Sequence, residues 1–157
     1  MVTENESVLF QIARRVRQLR EDSGLSQDAL ARLIPCHRSQ VSQVERGVNN
    51  LSLDTIERFA TALGTDPVSF LQEGAFVARN ARDTTPLRER VAKNVLCLRT
   101  TRGLAQDALS ESAGLSRNYV STLEVRKKNV SVAHLRALAT VLGTPLSAMF
   151  EPELPTR

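Results

Sequence analysis

Shifted by 79 positions, the 157-residue sequence lies on itself without a gap. GLSQDALARLIPCHRSQVSQVERGVNNLSLDTIERFATALGT falls on GLAQDALSESAGLSRNYVSTLEVRKKNVSVAHLRALATVLGT, and residues 8–71 share 21 identities in 64 positions with residues 87–150. Such a chain is most economically two copies of one small domain. The apolar positions repeat too: Val8, Ile12, Val16 and Leu19 return as Leu87, Val91, Val95 and Leu98 at helical spacing. Only 4% of residues are aromatic and none is tryptophan, so the core must be built from Leu, Val, Ile and Ala, which suits closely packed helices. The expected fold is all-α, with two tandem five-helix domains.

In the first copy the pattern predicts helices over 7–22, 26–34, 37–46, 52–63 and 67–72. Gly24, Gly47 and Gly64 follow helices, where a left-handed residue is needed. Ser26 and Ser52 stand where N-caps belong, as do Ser116 and Ser131 in the second copy. Thr85 then Pro86 opens copy two in cap-then-proline order. The domains are placed at 7–72 and 86–151, with a connector at 73–85. Around it, QEGAFVARNARDTTP spans at most roughly 50 Å extended and about 21 Å as a coil. Its Ala75, Phe76 and Val77 gain by docking on a domain, so a partly ordered connector is expected. The closing EPELPTR reads as a frayed tail.

The charge is uneven. Residues 1–78 carry eight Lys and Arg against ten Asp and Glu, a net of −2, while residues 79–157 carry thirteen against seven, a net of +6. The second copy holds the basic surface, the footprint of a polyanionic partner. Two cysteines, Cys36 and Cys97, are too few for a disulfide scaffold, and each is expected to be a buried small residue. With His37 and His134 they show no zinc spacing, so no metal and no other cofactor is expected. MVTENESVLF lacks the features of a signal peptide, and no apolar run reaches membrane-spanning length, so a cytoplasmic protein is expected. No phosphate loop, nucleophile elbow or Ser-His-Asp arrangement supports catalysis, and no small-molecule ligand is evident.

Helices two and three are expected to be joined by only two or three residues. The third carries an apolar inner stripe, Val41 with Val44 and Val120 with Leu123, and a polar opposite face. Such a helix fits the roughly 12 Å wide major groove, with its N-terminal side chains on base edges. The bland alternative is a merely solvated face.

GLSQDALARL with VSQVERG, and GLAQDALSESAGLSRNYVSTLE with RKKNVS, resemble the phage repressor and Cro (XRE) type helix-turn-helix family. The likeness covers nearly the whole chain, twice. It implies sequence-specific binding of double-stranded DNA by a transcriptional regulator, most readily a repressor. The family's base-reading positions fall on Arg38, Ser39 and Gln43, with Gln40 nearby, and on Arg117, Asn118 and Thr122, with Tyr119 nearby. Arg38 and Arg117 share a slot, and arginine's fork matches guanine O6 and N7, so guanine is predicted at equivalent places in two half-sites. Gln43 and Asn118 suit adenine, and each good bidentate pair discriminates by about 1–3 kcal/mol. An intermediate reading sets both arginines on phosphates.

The resemblance also assigns the DNA backbone to Gln27 and Gln106 at the head of helix two. It adds Arg126, Lys127, Lys128 and Asn129 in copy two, against Arg46 and Asn49, with Asn50, in copy one. Copy two is thus expected to bind more strongly, with a steeper salt dependence. Arg20 with Glu45, and Arg99 with Glu124, match an ion pair of the family that ties helix one to the end of helix three.

Three departures stand out. Pro35 replaces the glycine that copy two keeps as Gly114, at a turn favouring positive φ; proline cannot adopt it, so the turn of copy one must differ and is expected to tilt its recognition helix. Arg126 replaces Gly47, so that helix end is expected to run on or strain. Ala105 loses the cap that Ser26 supplies.

Linking two readers raises avidity by about 100 to 10,000 fold when the connector spans both half-sites. Differing recognition helices make one chain prefer an asymmetric site, whereas a homodimer restores a palindrome. The rival reading is a protein-interaction module, antitoxin-like or a scaffold, in which one repeat, the first more readily, mediates oligomerisation.

Overall fold

Apolar residues at i, i+3 and i+4 give each helix one face to bury, and the computed structural model shows how those faces meet. It describes residues 4–72 and 83–152, with side chains from Val8 onward. The first repeat runs α1 (Glu4–Asp22), α2 (Gln27–Leu33), α3 (Arg38–Glu45) and α4 (Leu53–Ala62), closed by a 3-10 turn, Pro67–Leu71. The second runs α5 (Leu87–Thr101), α6 (Gln106–Ser112), α7 (Tyr119–Arg126) and α8 (Val132–Leu142), closed by Leu146–Met149. The fold is all-α, and each expected fifth helix is a single 3-10 turn. The chain divides into two compact units, the second including everything described from Asp83 on. Most of the connector (73–82) and the tail residues 153–157 lie outside the described residues.

In the first unit Ile12 and Val16 of α1, Val44 of α3, Ile56 and Phe59 of α4 and Phe70 surround one apolar centre. In the second, Val91, Val95, Leu109, Val120, Leu123, Leu135 and Leu138 are buried to 1% exposure or less. The inner stripes of α3 and α7 thus anchor them, leaving their polar faces outward.

Each closing turn is pinned by one arginine and one amide from the first helix of its repeat, in opposite order. In the first, Gln11 Nε2 (2.7 Å) and Arg15 Nη2 (3.3 Å) donate to the Gln72 carbonyl. In the second, Arg90 Nη1 donates to the Phe150 carbonyl, and Asn94 Nδ2 to those of Met149 and Glu151. Arg90 stands at the repeat position of Gln11 and Asn94 at that of Arg15. Swapping the two positions keeps both donor types, so 3-10 carbonyls that lack helix partners are satisfied either way.

Ser26 and Ser131 cap as expected, accepting from the Ala29 and His134 N–H groups. Thr85 does not cap: α5 starts one residue later, with Pro86 in the N-cap position. Ala105 makes no side-chain cap bond. Neither cysteine is fully buried; Cys36 is half-exposed and Cys97 exposed, because Cys97 falls on the outer face of α5.

Candidate nucleic-acid interface

The helix-turn-helix motif of each repeat hangs on a buried bracket. In the first, Glu45 at the end of α3 accepts from Arg20 Nε and Nη2 (3.0 Å) and from Gln27 Nε2 (2.9 Å), while Arg20 Nη1 donates to the Leu25 carbonyl at 2.8 Å. In the second, Glu124 accepts from Arg99 Nε (2.8 Å) and Nη2 (3.0 Å) and from Gln106 Nε2 (2.6 Å), and Arg99 Nη1 donates to the Leu104 carbonyl. The carboxylates are 5% and 4% exposed. Hydrogen bonding to the glutamates pushes both arginines above their ordinary pKa. The bracket therefore fixes three things at once: helix one, the head of helix two and the tail of helix three. Gln27 and Gln106 each retain a second amide hydrogen at a helix N-terminus, where an anion is favoured.

In the first repeat Arg38, Ser39 and Gln40 occupy the exposed first turn of α3. Gln43, one turn on, has its carbonyl oxygen bound by Asn49 Nδ2 at 2.7 Å, leaving its own amide hydrogens to present. Arg46 is exposed just past the helix. His37 stands at the N-cap position without a side-chain cap bond.

The second repeat differs from the sequence reading. Ser116 does not cap α7, and Arg117 and Asn118 lie on the turn that leads into the helix rather than on it. The reason sits one helix away. Ser110 Oγ, fully buried on α6, accepts from the Val120 N–H at 3.1 Å, and the Ser116 carbonyl accepts from Tyr119 N–H. A buried first-turn donor is thereby satisfied from another helix, and α7 starts at Tyr119. The first repeat has Ala31 at the position of Ser110, so nothing in its own sequence signals this device. The segments joining helices two and three are longer than expected in both repeats, 34–37 and 113–118.

Thr122 Oγ1 donates back to the Asn118 carbonyl at 2.8 Å, so its hydroxyl proton is engaged locally and the side chain keeps an acceptor oxygen and a methyl group. Tyr119 is half-buried, its hydroxyl 2.9 Å from His134 Nδ1 and its ring edge-on to the imidazole at 5.1 Å. Lys128 Nζ lies 5.7 Å from that ring's centre. Burial pushes the Tyr119 phenol up to about 12. This residue braces the end of the interface more than it projects from it.

At the helix end, α7 runs on to Arg126, and Lys127 takes the left-handed conformation at φ 49°. A side chain at Gly47, the matching place in the first repeat, would meet the Phe10 ring at 3.0 Å and the Leu9 carbonyl at 3.3 Å. The second repeat has Glu89 in place of Phe10, and there Arg126 fits. Arg126, Lys127 and Lys128 are exposed and Asn129 half-exposed, with Lys127 Nζ 3.8 Å from Glu89.

Pro35 was expected to change the turn of the first repeat; it is instead carried to φ 28°. The Cys36 N–H still closes on the Ala31 carbonyl, as the Leu115 N–H closes on that of Ser110. What the proline loses is the bond that Gly114 N–H makes to Glu111. α2 and α3 pack on either side of the turn, and the ring, which ordinarily holds φ at about −65°, is strained there.

Among the described residues no cluster of three or more His, Cys, Asp or Glu is placed to hold a metal, and no helix is long and apolar enough to cross a membrane.

In each repeat two short helices are tied together through one buried glutamate, with an exposed arginine at or just before the head of the second, which is the arrangement of a helix-turn-helix motif. The helix-turn-helix domain family matches residues 11–70, and a second helix-turn-helix family matches residues 98–148. The chain is 42% identical over 71 residues to control protein C.BamHI of Bacillus amyloliquefaciens, covering 45% of this chain and 85% of that protein. It is 35% identical over 71 residues to control protein C.SmaI of Serratia marcescens, covering 45% and 79% respectively. Against the immunity repressor protein of Bacillus phage phi105 it is 36% identical over 63 residues, 40% of this chain and 44% of that one. No solved structure matches significantly. The chain belongs to the XRE-type helix-turn-helix family and carries the domain twice; it is a DNA-binding transcriptional regulator.

Proposed function

We propose that the protein is a repressor whose two repeats read the major groove of one operator, with α3 and with the turn and first residues of α7. The observation that carries this reading is the repeated bracket. Glu45 and Glu124 hold the head of helix two and the tail of helix three in the same relation, which sets Gln27 and Gln106 for phosphate and Arg38 and Arg117 for a base edge. Ser39, Gln40 and Gln43, and Asn118 and Thr122, complete the base-facing set, with Tyr119 bracing it. Arg126, Lys127, Lys128 and Asn129, and more weakly Arg46 and Asn49, follow the sugar-phosphate backbone. The second repeat supplies most of the affinity. One chain prefers an asymmetric site; a homodimer binds a palindrome.

A second reading has one observation in its favour. Phe10 and Val48, which flank Gly47, are 51% and 60% exposed, and the second repeat has the Glu89–Lys127 ion pair at those two positions. An apolar pair where its twin is charged suits a protein contact, so the first repeat then serves oligomerisation.

Random-site selection on the purified chain, repeated with Arg117→Ala and Arg38→Ala, tests both. The main reading expects each variant to lose a guanine preference in a different half-site, at about 1–3 kcal/mol of discrimination. Loss with Arg117→Ala alone leaves the first repeat as a scaffold. An Arg117→Ala protein with unaltered affinity and preference removes the second repeat from DNA reading.

A further inference from the structure

Both repeats set a carboxylate beside the arginine that heads the DNA-reading segment. Asp107 Oδ2 accepts from Arg117 Nη2 at 3.2 Å, and Asp28 Oδ2 lies 3.6 Å from Arg38 Nε. The four residues occupy the same two positions of the repeat. The arginines are 72% and 65% exposed, and open pairs of this kind contribute little to folding. The aspartates stand in the first turns of α6 and α2, the ends that face phosphate in the docking proposed above. A negative charge there suits the helix N-terminus but opposes binding to any polyanion, so what needs explaining is its pairing with the segment's leading arginine in both repeats.

The donor inventory supplies one. A guanidinium has five N–H groups, and giving one to a carboxylate leaves four, enough for a two-pronged contact with guanine O6 and N7. Guanine offers neutral acceptors, for which the paired arginine remains suitable. A phosphate competes by charge, and the carboxylate both neutralises the arginine and repels the phosphate.

We propose that Asp107 and Asp28 are specificity-determining positioning residues, which hold Arg117 and Arg38 for a base edge and deny them to the backbone. The proposal rests on the DNA-reading function above. It predicts the unusual outcome that removing a side chain tightens binding while blurring it.

The test uses the full chain with Asp107→Asn, Arg117→Ala and the double variant. Each is titrated with the selected duplex, with that duplex altered at the base pair Arg117 reads, and with a shuffled duplex, over a salt series. Asparagine keeps an acceptor for the Ala108 N–H, which bonds Asp107 at 2.9 Å, and thermal melts check the fold. Asp107→Asn is expected to bind the shuffled duplex about two- to fivefold more tightly and to lose discrimination by a similar factor. Its salt slope on that duplex steepens by roughly 0.9. In the Arg117→Ala background the same change leaves discrimination unaltered, and Asp28→Asn shows the smaller version of each effect. An Asp107→Asn protein with wild-type discrimination and slope, or with equal weakening on all three duplexes, overturns the proposal while Arg117→Ala still loses its preference. If Arg117→Ala keeps the wild-type preference, the DNA reading of this repeat falls first and the proposal with it.

Discussion

The two repeats keep one skeleton and exchange nearly everything laid upon it. Arg20, Gln27 and Glu45 recur as Arg99, Gln106 and Glu124 with the same bonds. Around them Phe10 and Val48 give way to Glu89 and Lys127, Asn49 to Lys128, and Gln40 and Thr55 to Tyr119 and His134. In the first repeat Gln40, Gln43, Asn49, Thr55 and Arg58 line an open cleft of about 140 Å³. Tyr119 packed on His134 stands at the matching positions of the second. The difference teaches that the bracket ties the third helix to the first two in both repeats, whereas the surface is free to change charge. One domain can therefore be tuned for polyanion affinity while its twin is not.

The comparison breaks most severely at what the repeats share. Glu124→Ala removes a buried carboxylate and strands the half-buried Arg99, and is expected to cost about 3 kcal/mol, with Glu45→Ala costing as much in the first repeat. Thermal melts would show this, and DNA binding would fail only as folding does. A melt unchanged by either substitution removes the bracket from its structural role.

Next in size is what separates them. Replacing Arg126, Lys127 and Lys128 with alanine is expected to flatten the salt dependence of DNA affinity by roughly two to three units of slope; Arg46→Ala in the first repeat flattens it by no more than roughly one. Equal slopes for the two variants erase the proposed division of labour.

A gentler probe acts on the turn. Pro35→Gly gives the first repeat the residue its twin has as Gly114, relieving strain and restoring an N–H donor, against glycine's greater freedom when unfolded. A gain of about 1 kcal/mol in denaturant unfolding is expected, and a loss means that the turn is not strained.

The smallest effect concerns Tyr119, the only tyrosine in a chain without tryptophan. Tyrosinate absorbance therefore reports this residue alone. Its midpoint should lie near 12 in the folded protein, against an ordinary 10.0. The folded state then holds its proton where the unfolded chain has released it. This contribution to stability is present below pH 10 and is lost as pH rises towards 12. A midpoint at the ordinary value with the helical signal intact means that the ring is not held against His134.

Much of this was legible in the residues. Helical spacing located the elements and the stripe formed by Val41 and Val44. Ser26 and Ser131 announced their caps because a cap bonds within its own turn. The run-on of α7 followed from Arg126 in place of Gly47. Less legible was most of what is settled across elements, where only the Arg20–Glu45 and Arg99–Glu124 pairs were given, and those by the family resemblance. Ser116 resembles a cap and is not one, since Ser110 reaches Val120 from another helix. Pro35 resembles a turn-changer, yet the packed helices on either side hold the turn. Cys97 has the character of a core residue and faces out, because the phase of α5 is set by Val91, Val95 and the contacts they make.

The sequence by itself determined that there are two copies, that they are helical, where their third helices carry an apolar stripe and which half is basic. Those are matters of local spacing and composition. Only the tertiary structure decided where α7 begins, how the arginine–amide pairs swap positions to hold the closing turns, and which arginine meets which aspartate. Hydrogen-bond donors and acceptors far apart in the chain have no periodicity to betray them, and their partners are fixed only when the helices pack.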